Sequence, residues 1–254
     1  MRSRAIAAVA AGLLLLPTAV VAQDTEADEL PEVGTVLDSG RYYSDFVGPS
    51  IEFEADESWI VGPSGTGPIF TLEYVDVPGS VLSFTRFDGE TFLDSCDPTS
   101  MTLVEPGVAR LAEILAGNPY LYAGTPETNA VVGYAGLQLD IGVPAYEECS
   151  LPYVLIWAIP IGDGGEFVQM ADQQSRFLVL DVDGDVIVIA METFPGVPFG
   201  GFLDAATELV DAVRITPGEY VPREPEPTEG PEPTDDTEAP AEASPDPAGG
   251  GTSA

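Results

Sequence analysis

The sequence contains no lysine and no histidine, and only two cysteines. Each absence removes chemistry. Without histidine there is no Ser-His-Asp or Cys-His catalysis, no imidazole metal ligand and no histidine pH switch. Without lysine there is no Schiff-base nucleophile and no phosphate-binding lysine of a P-loop. Carboxylate-based chemistry, or metal held on oxygens, is what remains. Positive charge is scarce as well: 254 residues carry 8 basic side chains, all arginine, against 43 Asp plus Glu, for a formal net charge of −35. That balance repels nucleic acid and anionic membrane surfaces, so neither is expected as a partner. It favours solubility, loosely held divalent cations or a basic partner. An organism that prefers acidic exported proteins accounts for it without any partner.

Long apolar runs are rare too. The one at the N-terminus, Ala5 to Leu16, follows Arg2 and Arg4, is broken by Pro17 and leads to Val20-Val21-Ala22. Charged, apolar and small-residue regions in that order read as a secretory signal peptide over residues 1–22, cut between Ala22 and Gln23. A membrane span needs roughly 20 apolar residues, more than this run supplies. No cysteine follows it to carry a lipid, and no later segment is long and apolar enough to cross a bilayer. The expectation is a secreted, extracellular protein with no lipid or wall-sorting anchor and no transmembrane segment in the mature chain. In an oxidising compartment the isolated pair Cys96 and Cys149 reads as a disulfide rather than two free thiols. It would close a loop of roughly 50 residues, a constraint worth about 3–4 kcal/mol in the chain-entropy picture. There is no Cys-x-x-Cys, and without histidine a zinc site lacks its usual ligands.

Composition divides the rest. Residues 23–39 are a polar, acidic lead-in with Pro31 and Gly34, read as a flexible linker. Residues 40–216 are globular in pattern, a length ordinary for one domain. Residues 217–254 collapse into Pro, Glu, Asp, Thr, Ala and Gly, as in Glu224-Pro225-Glu226-Pro227. Nothing there can be buried, so a disordered, self-repelling tail is expected, acting as a spacer or a solubilising extension.

Within the domain, strands dominate. Ile51, Phe53 and Ala55 alternate with Glu52 and Glu54, and Phe70, Leu72 and Tyr74 continue the period of two. Leu82 and Phe84 follow a Pro78-Gly79 turn. Val108, Leu111, Ala112 and Leu115 fall on one helical face, stopped by Gly117-Asn118-Pro119. Leu137 to Val143 returns to strand alternation, and Tyr153 to Ile161 reads as a buried central strand. Two further strands, Phe177 to Val182 and Val186 to Met191, flank Asp183-Gly184, a hairpin turn because glycine accepts positive φ. Phe202, Ala206, Leu209, Val210 and Val213 stripe a last helix. The pattern predicts an α+β fold: a mostly antiparallel sheet of about six to eight strands packed by two helices.

Gly133-Tyr134-Ala135-Gly136-Leu137-Gln138-Leu139-Asp140, running into Val143-Pro144, resembles a segment of uncharacterised secreted or lipid-anchored proteins of actinobacteria and related bacteria. Leu178 to Asp185, Leu209 to Ile215 and the aromatic stretch Tyr43 to Trp59 are similar to theirs as well. The resemblance spans roughly the whole domain. Its motifs are structural glycines, aromatics and strand residues, so no catalytic residue comes with it. The order of hairpin, helix, strands and final helix also resembles the fold of the PsbP subunit of the oxygen-evolving complex. This implies a PsbP-like sandwich and no function of its own. Many relatives carry a lipid-attachment cysteine that this chain lacks.

Several constellations have two readings. Asp181-Val182-Asp183-Gly184-Asp185, with Glu192 at the end of an EF-hand spacing, places carboxylates as Ca2+ would need them. The sixth loop position is Val186 where glycine is required, and Ile187-Val188-Ile189 reads as strand, so the hairpin is the expectation. Gly62-Pro63-Ser64-Gly65-Thr66-Gly67 could cradle an anion on backbone amides, but no lysine follows and Pro68 stands where a helix would start. Glu54, Asp56 and Glu57 near Trp59, and Glu147-Glu148 beside Cys149, offer carboxylate pairs of the glycosidase kind. Among so many acids such pairs arise by chance. Tyr42, Tyr43, Tyr120 and Tyr122 near loops, and Trp59, offer rings for stacking; Trp157 in an apolar strand reads as core, and Arg176 as a partner for a carboxylate. The sequence therefore predicts no catalytic, cofactor-binding or metal-ligating residue. It predicts a monomeric, non-enzymatic extracellular domain that binds an unknown extracellular ligand or protein near the cell surface. The alternative is a carboxylate-dependent hydrolase acting on polysaccharide.

Overall fold

The computed structural model describes residues 26–63, 68–131, 133–144, 149, 151–159 and 165–220. The Ala22–Gln23 cleavage site, Ser64 to Gly67, Glu147, Glu148 and the chain after Tyr220 lie outside the described residues. In chain order the first strands are β1 (Asp28–Glu29), β2 (Gly40–Ser44), β3 (Ser50–Ala55), β4 (Trp59–Val61), β5 (Ile69–Tyr74) and β6 (Ser80–Arg86). Next come β7 (Glu90–Phe92), β8 (Met101–Leu103), helix α1 (Val108–Gly117), β9 (Tyr122–Ala123), β10 (Glu127–Val131) and β11 (Tyr134–Gly142). The chain continues through β12 (Tyr153–Ile159), β13 (Gly165–Met170), β14 (Gln174–Val182), β15 (Asp185–Thr193), helix α2 (Phe199–Asp211) and β16 (Arg214–Thr216). The fold is α+β, with the two helices set against mostly antiparallel sheet.

The largest sheet has eight strands, in the order β10-β11-β14-β15-β6-β5-β4 with β9 beside β11. At its centre, β15 is buried on both faces. Ile187, Ile189 and Met191 join a cluster with Phe202, Ala206, Leu209 and Val210 of α2, and with Ile51 and Phe53 of β3. Val186, Val188 and Ala190 join a second cluster with Leu111, Ala112 and Leu115 of α1 and Ile156 and Trp157 of β12. Alternation in one strand thus feeds two cores. Phe53, Phe70 and Phe84 stack with centroids 4.6–6.4 Å apart. Each of these rings stabilises the fold by roughly 1.5–3 kcal/mol relative to exposure.

Two four-stranded sheets complete the layers, β1-β2-β3-β16 on one side and β13-β12-β7-β8 on the other. Here the structure departs from the reading of one sheet. Tyr153 to Ile159 is a buried strand but an inner strand of the smaller sheet, not of the large one. Its run is apolar because Ile156, Trp157 and Ile159 face the main sheet while Leu155 and Ala158 pack in a third small cluster. A bulge between Leu155 and Trp157 lets Ile156 and Trp157 face the same way.

The lead-in read as a flexible linker is also different over residues 26–39. Asp28 and Glu29 pair in parallel with Tyr42 and Tyr43, and Leu37 is buried with its amide donating to Trp59 O at 2.9 Å. Leu30 and Leu37 are the apolar anchors that make docking favourable. At the other end, Arg86 lies over the Tyr220 ring, 5.7 Å from its centroid, so the chain stays on the domain past Thr216. Gly89 takes φ +90, and a Cβ there would lie 2.2 Å from Val104 O. Gly89→Ala is therefore expected to destabilise the protein by about 2 kcal/mol or more, seen as a lower urea midpoint with an unchanged slope.

Candidate functional site

The last turn of the alternation in β15 breaks the apolar rule. Val186, Val188 and Ala190 are followed on the same face by Glu192, a carboxyl only 8% exposed. Ser175 of β14 and Val81 of β6 stand opposite it in the sheet register. Gln169 reaches it from β13, and Gln173 from the turn between β13 and β14, where Asp172 takes a φ of 61. Gln169 Nε2 donates a short bond to Glu192 Oε1, Gln173 Nε2 donates at 3.0 Å, and Ser175 Oγ lies 3.4 Å from the same oxygen. Ser175 has one proton, and its shorter contact is 2.8 Å to Gln169 Oε1. Gln173 is fixed in turn because its Oε1 accepts from Met170 N at 2.8 Å. Ser83 Oγ, buried beside this group, has no hydrogen-bond partner among the described residues.

Burial pushes the Glu192 carboxyl up to about 7, against the opposing pull of its polar neighbours Gln169, Ser175, Ser83 and Gln173, which favour the anion. The group is poised near neutrality. It lines a cavity of about 300 Å3 between β12–β13 and the inner strands β5, β6 and β15 of the main sheet. Ile69, Val81, Ile159, Phe167, Met170 and Phe194 form the apolar part of the wall, with Glu166 also lining it. Met170 and Phe194 are 39% and 41% exposed, large apolar side chains left in contact with water at this site. A small apolar pocket with a few convergent polar groups is the usual form of a ligand site, commonly 300–1,000 Å3 in volume.

A second groove, about 310 Å3, runs between α2 and the β3–β5 region. It brings together Glu54, Asp56, Trp59, Tyr74 and Glu208. Glu54, Asp56 and Glu208 are exposed, whereas Trp59 is 5% exposed and packs on Tyr74 at 5.1 Å. Asp56 is occupied with the local turn, its Oδ1 accepting from Ser58 N at 2.9 Å. The Tyr74 hydroxyl is held above its ordinary value, by burial first and then by Asp76, Asp56 and Glu208. Glu57 does not line this groove; its carboxylate accepts from Ser39 at 3.3 Å.

The other residues singled out in the sequence have structural positions. Cys96 and Cys149 are disulfide-bonded across a sequence separation of 53. Asp183 and Gly184, at φ 55 and 100, turn the β14–β15 hairpin, and Asp181 Oδ1 accepts from Gly184 N at 2.8 Å. Asp185 pairs with Arg86 at 3.0 Å, and Glu192 lies at the far end of β15, so these carboxylates do not surround one ion. Arg176 holds Asp140 through two bonds of 2.6 and 2.9 Å. Trp157 is core, stacked on Phe167 at 4.2 Å, while Tyr122 stands 77% exposed. Sequence reasoning met Glu192 only as the end of a calcium-loop spacing. The signal for its role was a glutamate in register with Val186, Val188 and Ala190 on a strand apolar on both faces.

No protein-family profile matches the chain. No curated protein matches it either. Among solved structures, it is similar to the solution structure of cyanobacterial PsbP (CyanoP) from Synechocystis sp. PCC 6803, at 14% identity and TM-score 0.37, covering 73% of this chain and 98% of that one. It is also similar to the crystal structure of LpqN, described as involved in cell envelope biogenesis of Mycobacterium tuberculosis, at 14% identity and TM-score 0.35, covering 70% of this chain and 91% of that one. At these scores no residue role passes from either protein to this chain.

Proposed function

We propose that this protein is a non-enzymatic binding module working outside the cytoplasmic membrane, and that the Glu192 pocket is its ligand site. One observation carries the reading. A carboxyl is kept in an apolar cavity, with polar side chains from β13, β14 and the turn between them set around it. A hydrophobic residue there would stabilise the fold more, since burying an ionisable group is costly. An extracellular site of action is supported by the N-terminal sequence pattern and by the disulfide. No helix among the described residues is long and apolar enough to cross a membrane. Isothermal titration with 1-octanol is expected to give one saturable site per chain. Val81→Trp, which fills the cavity from β6, is expected to abolish it. Binding unchanged by Val81→Trp would refute the assignment of the pocket.

The second reading, a polysaccharide hydrolase, is favoured by the groove that gathers Glu54, Asp56 and Glu208 around Trp59 and Tyr74. A glycosidase needs one carboxyl in an apolar setting to act as acid, and these three are exposed. The binding module is therefore preferred. Release of new reducing ends from a soluble polysaccharide, lost in Glu208→Gln, would reverse that preference.

A further inference from the structure

The arginines make the Glu192 pocket unusual. Arg41 and Arg214 pair with Glu52, Arg86 with Asp88 and Asp185, Arg110 with Glu113, and Arg176 with Asp140. Every arginine among the described residues is thus committed to another carboxylate, and none lines the pocket. Lysine and histidine do not exist in the chain. Glu192 is therefore a buried carboxyl whose neighbours supply neutral donors but no positive charge. Those donors converge on Oε1, so among the described residues Oε2 takes none of these three contacts and is the oxygen left to a ligand.

We propose that the pocket takes a small apolar amine, with its ammonium group on Glu192 Oε2 and its hydrocarbon body against Ile69, Val81, Ile159, Phe167 and Phe194. This rests on the reading of the pocket as a ligand site and names the class of ligand. The ammonium supplies the charge that no described side chain provides; its own desolvation opposes binding, but the fold has already desolvated Glu192, so only one ion leaves water while the attraction acts in a low-dielectric cavity. The net charge of −35 draws cations toward the protein and turns anions away. A fatty acid or phosphate ester of the same size would set another acidic group beside Glu192 and Glu166. An alcohol would fill the apolar wall without compensating the carboxylate.

The test compares n-octylamine, 1-octanol and octanoate by isothermal titration into the wild-type protein at pH 8, where alkylamines, with proton affinities like that of lysine, are charged. Octylamine is expected to bind at least tenfold more tightly than octanol, and octanoate not to bind. In Glu192→Gln the amine should fall to within about twofold of the alcohol. The wild type alone provides a second readout. As pH falls below 7, octylamine affinity should drop while octanol affinity does not, because protonated Glu192 keeps its cavity but loses its charge. Glu166 is the other titratable residue of the pocket wall among those described, and Glu166→Gln should leave the drop in place. Equal affinity for amine and alcohol would overturn the amine assignment and leave the pocket standing as a binding site. An amine preference that survives Glu192→Gln would overturn it too, by assigning the amine to general surface charge. Failure of all three probes to bind would overturn both readings.

Discussion

Glu192→Gln is expected to leave the protein about 3 kcal/mol more stable than the wild type at pH 8, with the gain disappearing toward pH 4. The folded-state proton affinity of Glu192 is raised from 4.5 to about 7. Between those values the folded protein holds a proton that the unfolded chain has released. Wild-type stability therefore falls as pH rises through that window and levels off above it. Glutamine keeps the size of the side chain and an oxygen to accept from Gln169 and Gln173, but has no proton to lose. Other carboxylates contribute alike to both proteins, so the difference between their urea-unfolding curves isolates this residue. A constant difference from pH 4 to pH 8 would remove the buried carboxyl from the account.

Reducing the Cys96–Cys149 disulfide is expected to cost about 4 kcal/mol, from the loop entropy that a separation of 53 residues restores to the unfolded chain. The effect should be concentrated at the pocket. Among the described residues, only Trp157 and Thr91 stand in register between β12 and β7, and Leu155 N donates to Ser95 O at 2.9 Å next to Cys96. The bond thus closes the weakest join in the small sheet that carries Phe167 and Gln169. Hydrogen exchange should speed up in β12 and β13 while β14 and β15 stay protected. Octanol affinity should fall with it. Uniform loosening of the large sheet would mean that the small sheet does not depend on the bond.

Much of the fold is legible in the residues. Ile51 and Phe53, then Leu72, Leu82 and Phe84, announce their strands by alternation because each lies on one buried face. The helices show equally well, since Leu111, Ala112 and Leu115, and Phe202, Ala206, Leu209 and Val210, each form one stripe. The layers are less legible. β12 is apolar throughout because it is covered on both sides, and burial on two faces does not say which sheet a strand joins. The 26–39 lead-in reads as a flexible linker because two leucines and a parallel pairing hold it, with no periodic run.

The site was nearly invisible for a different reason. In a chain with 43 acids, one more glutamate carries no weight, and Gln169, Gln173 and Ser175 are ordinary polar residues in sequence. Their meaning comes from convergence. Strand register sets Ser175 opposite Glu192, and the β13–β14 turn folds both glutamines over it. The groove around Trp59 had the opposite fate: its acids drew attention in the sequence and turn out to be exposed.

The most direct measurement is a 13C NMR titration of the glutamate side-chain carboxyls, with Glu192 assigned by its loss in Glu192→Gln. The expected result is a midpoint near 7 for Glu192 in the free protein, moving down when octylamine saturates the pocket. A midpoint near 4.5 that octylamine leaves unmoved would contradict both the buried carboxyl and the ligand it is proposed to hold.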